Sequence, residues 1–151
     1  MNVQEELKSL KERIAELEEL AKEEYEFPKD GDVCWFINTA GETNWVQWHD
    51  TEIDNKQISF GNAFKTKDEA EFQVEKLKVE AELRKFSRPF EYGENNHIIC
   101  VEKNINRLFT IGRLVDHYQG AIYFESKGKA EEAIRSVGAE RIEKYIFGVE
   151  E

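Results

Sequence analysis

Three tryptophans, Trp35, Trp45 and Trp48, cluster in one short stretch with Asn38, Asn44 and Gln47, and Asn62 follows soon after. Indole rings stack on nucleobases, and carboxamides hydrogen-bond to base edges. With Lys65, Lys67 or Arg107 near a phosphate, such a set could hold a small nucleotide. The candidate ligand set is Trp35, Trp45, Trp48, Asn38, Asn44, Asn62 and Arg107. Core packing competes with this reading, since aromatic residues in strands usually cover a core or lie beneath a partner. In an alternating strand Trp35 and Ile37 share one face and Phe36 takes the other, so both faces are apolar. One face must cover the core helices. The other is then exposed aromatic surface, which marks an interaction site when contiguous.

Acid–base chemistry has less support. The chain has three histidines, His49, His97 and His117. His49-Asp50 and Asp116-His117 put an imidazole beside a carboxylate in two polar connections, the raw material of proton transfer. No HxH, HxxxH or HExxH spacing suggests a metal, and GxSxG, Walker and GxGxxG patterns are absent. No catalytic residue, metal ligand or cofactor is assigned, and the chain reads as a non-enzyme. A hydrolase using His49 or His117 is the weaker third class. Cys34 and Cys100 lie far apart in strand-like runs, without a CxxC, and read as reduced core thiols.

Composition narrows the partners. The 151 residues carry 32 acids against 21 Lys and Arg, a formal net charge of −11. Phosphate contacts need clustered cations, so direct nucleic-acid binding is disfavoured. An acidic surface suits solubility, a basic protein partner, or mimicry of phosphate spacing. No apolar run approaches the roughly 18 residues a membrane span needs. The start of the chain is charged and helical rather than signal-like, so a cytoplasmic protein is expected.

The elements that must position these residues follow from periodicity. Residues 1–26 read as a coiled-coil-like helix, with apolar residues at Val3, Leu7, Leu10, Ile14, Leu17 and Ala21, a heptad seam. Leu7, Ile14 and Ala21 take position a; Val3, Leu10 and Leu17 take position d. Ile at a with Leu at d leans toward two strands. In a parallel pair Glu6 faces Lys11 of the other chain, and Arg13 faces Glu18. Self-association through Leu7, Leu10, Ile14 and Leu17, as a homodimer or higher homo-oligomer, competes with packing on the chain's own body.

Pro28 and Asp30-Gly31 end this helix. Val33–Ile37 and Trp45–Trp48 then form a hairpin, and Ile58–Phe60 is expected as a third strand. Thr66-Lys-Asp-Glu69 is a capping box. The helix it opens, to about Phe86, carries two apolar stripes: Ala70, Val74, Leu77, Ala81 and Phe72, Val79, Leu83, Phe86. The plan repeats. Strands are expected at His97–Val101, Arg107–Ile111 and Ala121–Phe124, with a turn over residues 103–106. A helix capped by Ser126 turns Ala130, Ala133, Ile134, Val137 and Ile142 inward. Phe64-Lys-Thr-Lys-Asp-Glu-Ala70-Glu71 and Phe124-Glu-Ser-Lys-Gly-Lys-Ala130-Glu131 read as copies, with matched chemistry at Phe64/Phe124, Thr66/Ser126, Lys67/Lys127, Ala70/Ala130 and Glu71/Glu131. The expected fold is α+β: an N-terminal heptad helix, then two repeated ββ(β)α units, residues 33–88 and 95–151, forming antiparallel sheet with helices on one face.

The run Gly61-Asn62-Ala-Phe64-Lys-Thr66-Lys-Asp-Glu69-Ala70-Glu71, after a Trp-containing hairpin and a Leu/Glu/Lys-rich helix, resembles uncharacterised small accessory proteins of phages and prophages of Gram-positive bacteria. The resemblance covers residues 33–86 well and the second half more loosely. It implies a bacterial-host cytoplasm and a counter-defence role. The protein would inhibit a host protein, for example a nucleic-acid-targeting defence nuclease whose basic groove meets acidic surface. The alternative it implies is a protein that sequesters a small nucleotide signal.

Overall fold

The computed structural model describes residues 2–105 and 107–150, with the side chains of Glu23, Glu24 and Tyr25 left aside. Among the described residues there are five helices and two separate two-stranded antiparallel sheets, an α+β chain. The chain divides into two compact units, residues 1–70 and 71–151. Met1, Asn106 and Glu151, which fall in the expected first helix, the 103–106 turn and the expected last unit, lie outside the described residues.

The first unit opens with helix α1, Val3–Tyr25. Its start is a reciprocal cap. Asn2 Oδ1 accepts from the Glu5 amide at 2.9 Å, and the Asn2 amide donates to Glu5 Oε2 at 3.1 Å. Every described side chain of α1 is exposed. The seam residues Val3, Leu7, Leu10, Ile14 and Leu17 all stand at 50% exposure or more. Within the first unit, no described side chain of α1 is buried against the strands or α2.

Strands β1, Val33–Ile37, and β2, Thr43–Gln47, form the hairpin. Val33 lies opposite Gln47, Trp35 opposite Trp45, and Ile37 opposite Thr43. Asn38 shapes the loop, its Oδ1 accepting from the amides of Ala40 and Glu42 at 2.9 and 3.0 Å. Phe64 returns alongside β1 and exchanges two backbone hydrogen bonds with Trp35, at 2.8 and 2.9 Å.

Between them the expected strand at Ile58–Phe60 is overturned. Glu52–Ser59 is helix α2, and Phe60 is its C-cap. The reason is a capping box at Thr51. Its Oγ1 accepts from the Asp54 amide at 3.2 Å, and the Thr51 amide donates to Asp54 Oδ2 at 3.1 Å. Asp54 Oδ2 also accepts from the His49 amide at 3.1 Å. These donors hold the buried Asp54 carboxyl below its usual range.

Helix α3, Lys67–Arg84, starts in the first unit and runs on in the second. Its expected capping box is present: Thr66 Oγ1 accepts from the Glu69 amide, and Glu69 Oε2 accepts from the amides of Lys65 and Thr66. Of its two stripes, Val79 and Leu83 are buried, whereas Leu77 is 46% exposed.

In the second unit β3, Asn96–Glu102, pairs antiparallel with β4, Arg107–Arg113. The expected third strand shrinks to isolated pairings: Tyr123 with Arg88, and Phe124 with His97. Helix α4, Lys127–Val137, begins at Ser126, whose Oγ accepts from the Lys129 amide at 3.1 Å. The expected continuous helix to Ile142 breaks at Gly138, where φ is 100°, and α5 runs from Ala139 to Tyr145. A left-handed φ is open to glycine and ends the helical ladder.

The core of this unit is Val79, Leu83, Phe124, Ala130, Ala133, Val137 and Ile142. Arg141 ties α5 to α3 by a two-pronged bond to Glu82, at 2.9 and 3.0 Å. That fork holds the Glu82 carboxyl below its usual range.

Candidate functional site

The hairpin positions the tryptophans by register. The amide and carbonyl of Trp35 both bond Phe64, on the side away from β2. Trp35 and Trp45 are therefore a non-hydrogen-bonded cross-strand pair, the geometry in which facing side chains stand closest. Trp35 is half-buried, and Trp45 is 60% exposed. Val33, on the same face by alternation, is 49% exposed. The result is an aromatic and apolar face open to solvent.

The remaining candidate residues are placed differently. Trp48 is buried at 5% exposure, and its backbone extends the pairing: the amide donates to Asp32 and the carbonyl accepts from Gly31. Trp48 is among the residues that line an open groove of about 490 Å³, with Phe27, Pro28, Asp50, Asn55 and Ile58. Asn38 is held in the hairpin loop. Asn62 is buried and clasps Ile37. Its Oδ1 accepts from the Ile37 amide at 2.8 Å, and its Nδ2 donates to the Ile37 carbonyl at 2.8 Å and to Gln57 at 2.7 Å. Asn44 is exposed but, by alternation, lies on the face opposite Trp45. Arg107 is exposed at the start of β4, opposite Glu102, in the second unit. The structure thus brings Trp35 and Trp45 together on one open face, and engages Asn38 and Asn62 with backbone.

The histidines stand in three different settings. His49 Nδ1 lies 3.1 Å from Asp30 Oδ1, with both side chains exposed. The His117 ring stacks on Phe90, at 4.5 Å between centroids and 3° between planes, and meets Tyr123 edge-on. His97 sits opposite Gly112, and its Nδ1 is buried without a hydrogen-bond partner among the described residues. A methyl group on Gly112 would come within 3.3 Å of the His97 ring. The glycine makes room for the imidazole. Among the described residues no three His, Cys, Asp or Glu side chains gather closely enough to hold a metal ion. Cys34 is buried and Cys100 half-buried, and burial pushes both thiols above their usual range.

Two features lie outside the sequence reading. One is the Thr51–Asp54 cap, whose Asp stands where Glu or Gln is the familiar signal. The other is a cleft of about 240 Å³ in the second unit, walled by Leu83, Ile98, Ile122, Phe124, Ile142 and Phe147. Its walls come from α3, β3, the segment before α4, and α5 with the residues after it. No spacing within one segment announces it.

No helix among the described residues is long and apolar enough to cross a membrane. The chain matches no family model, and neither the curated proteins nor the solved structures give a similar chain.

Proposed function

We propose that this chain is a non-enzymatic accessory binding protein that self-associates through α1 and engages a host protein. The observation that carries the reading is the seam of Val3, Leu7, Leu10, Ile14 and Leu17, exposed along the helix. A row of apolar residues at heptad spacing left in water is an unfilled interface. The net charge of −11 favours a basic partner, such as the nucleic-acid groove of a defence nuclease. A phage or prophage origin, the bacterial cytoplasm and a counter-defence role come from the resemblance of residues 33–86.

Two duplicated ββ(β)α units belong to the same reading. In support, Phe64 and Phe124 each exchange two backbone bonds with the first strand of their half, and each precedes a hydroxyl-capped helix by a few residues.

The exposed Trp45 beside Trp35 favours one second reading, a sequestering protein for a small nucleotide. A single pair of measurements separates the two. The full chain is titrated with nucleotides while Trp emission is followed, and with a candidate nuclease while inhibition is followed at increasing salt. Inhibition that fades steeply with salt, with unchanged Trp emission on nucleotide addition, supports the protein-binding reading. Quenching by a nucleotide, abolished in Trp45→Ala, would replace it with the second. Turnover of the nucleotide would overturn both.

A further inference from the structure

We infer that the occupant of the α1 seam is a second copy of this chain, aligned parallel and in register. This rests on the self-association reading above and adds its partner, orientation and stoichiometry.

The seam can close with every one of its layers paired in two ways, and their charge contacts differ. In a parallel pair each a residue meets its own counterpart, and flanking g and e positions meet five residues on. Glu6 then faces Lys11 of the second copy, and Arg13 faces Glu18. Two-fold symmetry doubles both contacts, and all are attractive. In an antiparallel pair the a and d layers cross, Leu7 against Leu17 and Leu10 against Ile14. Position g then meets g, and e meets e. Arg13 would face Arg13, Lys11 would face Lys11, Glu6 would face Leu20 and Gln4 would face Glu18. No attractive pair remains, and two like-charge contacts appear.

The other cations and acids on the helix do not change this order. Within one chain Lys8 pairs with Glu12, Arg13 with Glu16 and Lys22 with Glu19, all exposed. Arg13 is thus held toward its own Glu16, and its reach to Glu18 of the second copy exchanges one surface acid for another at little cost. Core shape agrees with the charges. Ile14 at a, flanked by Leu10 and Leu17 at d, fits two parallel strands, while Leu7 and Ala21 at a and Val3 at d add no preference of that kind.

The test uses the full chain with single cysteines in the seam, under mild oxidation, with linked peptides mapped by mass. Leu17→Cys should give a 17–17 linked dimer. In the antiparallel alignment the two copies of residue 17 lie about 15 Å apart along the axis, beyond the roughly 7 Å a disulfide spans. A mixture of Leu7→Cys and Leu17→Cys chains that links only 7 to 17 would overturn the orientation but keep self-association. The wild-type chain sedimenting as one chain at every concentration would overturn self-association itself.

Charge reversal covers the case in which a seam cysteine weakens assembly. Lys11→Glu should weaken dimerisation about ten-fold, and Glu6→Lys in the same chain should restore it. An antiparallel pair with every layer matched would weaken in neither case, because Lys11→Glu only exchanges one like-charge contact at that position for another, and in a shifted antiparallel pair that sets Lys11 against Glu18 the Glu6→Lys change would give no rescue. No change on Lys11→Glu therefore overturns the proposal.

Discussion

At the scale of single residues, the polar side chains that look free in the sequence are mostly engaged in building backbone. Asn96 is the clearest case. It is fully buried, accepts from Arg88 and the Glu91 amide, and donates to the carbonyls of Glu91, Glu94 and Arg113. Asn62 does the same for Ile37. Neither role is legible in sequence, because an asparagine's partners are fixed only once the chain closes.

Asp54 and Glu82 each contribute to the pH dependence of stability. Amide donors lower the first and the Arg141 fork lowers the second. A carboxyl whose folded value lies below its unfolded one, about 4, contributes stability above that pH. The contribution disappears as pH falls through the folded value. Stability should therefore hold level from pH 7 to 5 and fall below about pH 4. Asp54→Asn keeps an acceptor oxygen and loses the charge. Urea midpoints across this range should show a smaller acid drop in that variant than in the wild type.

At the scale of elements, the caps are the readable part. Thr66 with Glu69, and Ser126, start helices where their spacing places them. The hairpin is legible from β-branched and aromatic residues around a glycine loop. The segment after Trp48 is not. Ile58-Ser-Phe60 alternates like a strand, but the Thr51–Asp54 cap acts first and the helix carries through Ser59. The break at Gly138 is hidden too, since the inward residues keep helical spacing across it.

That break gives a signed pair of predictions. A methyl group at Gly138 meets only Arg141 Cδ at 3.9 Å, so the obstacle is the +100° φ rather than space. Gly138→Ala should cost about 1–2 kcal/mol. Gly128, inside α4, has no positive φ, and its added carbon would meet only Ser126 Oγ at 3.8 Å. Because Gly128 is the second residue of α4, Gly128→Ala should stabilise by up to about 0.5 kcal/mol. Chemical denaturation of both variants checks the contrast, and equal signs would count against the assigned backbone.

At the scale of the whole molecule, all three tryptophans lie in residues 1–70, while the compact apolar cluster lies in residues 71–151. The two units therefore carry different spectroscopic labels. Ile142→Ala empties part of the second unit's core and should cost about 2–5 kcal/mol there. Far-UV circular dichroism should show an early loss of helix, while Trp emission keeps its wild-type midpoint. Coincident shifts of both signals would mean that the chain unfolds as one.

The uncovered seam of α1 has a consequence for dosage. A coil of roughly three heptads grips weakly. Whether two chains meet then depends on how many copies a cell holds. On the proposal that α1 pairs with a second copy, scarce copies would act singly and abundant ones in couples, and the helix would serve as a gauge of the protein's own abundance. Any strengthening of hold that comes from pairing would switch on only past a threshold of expression.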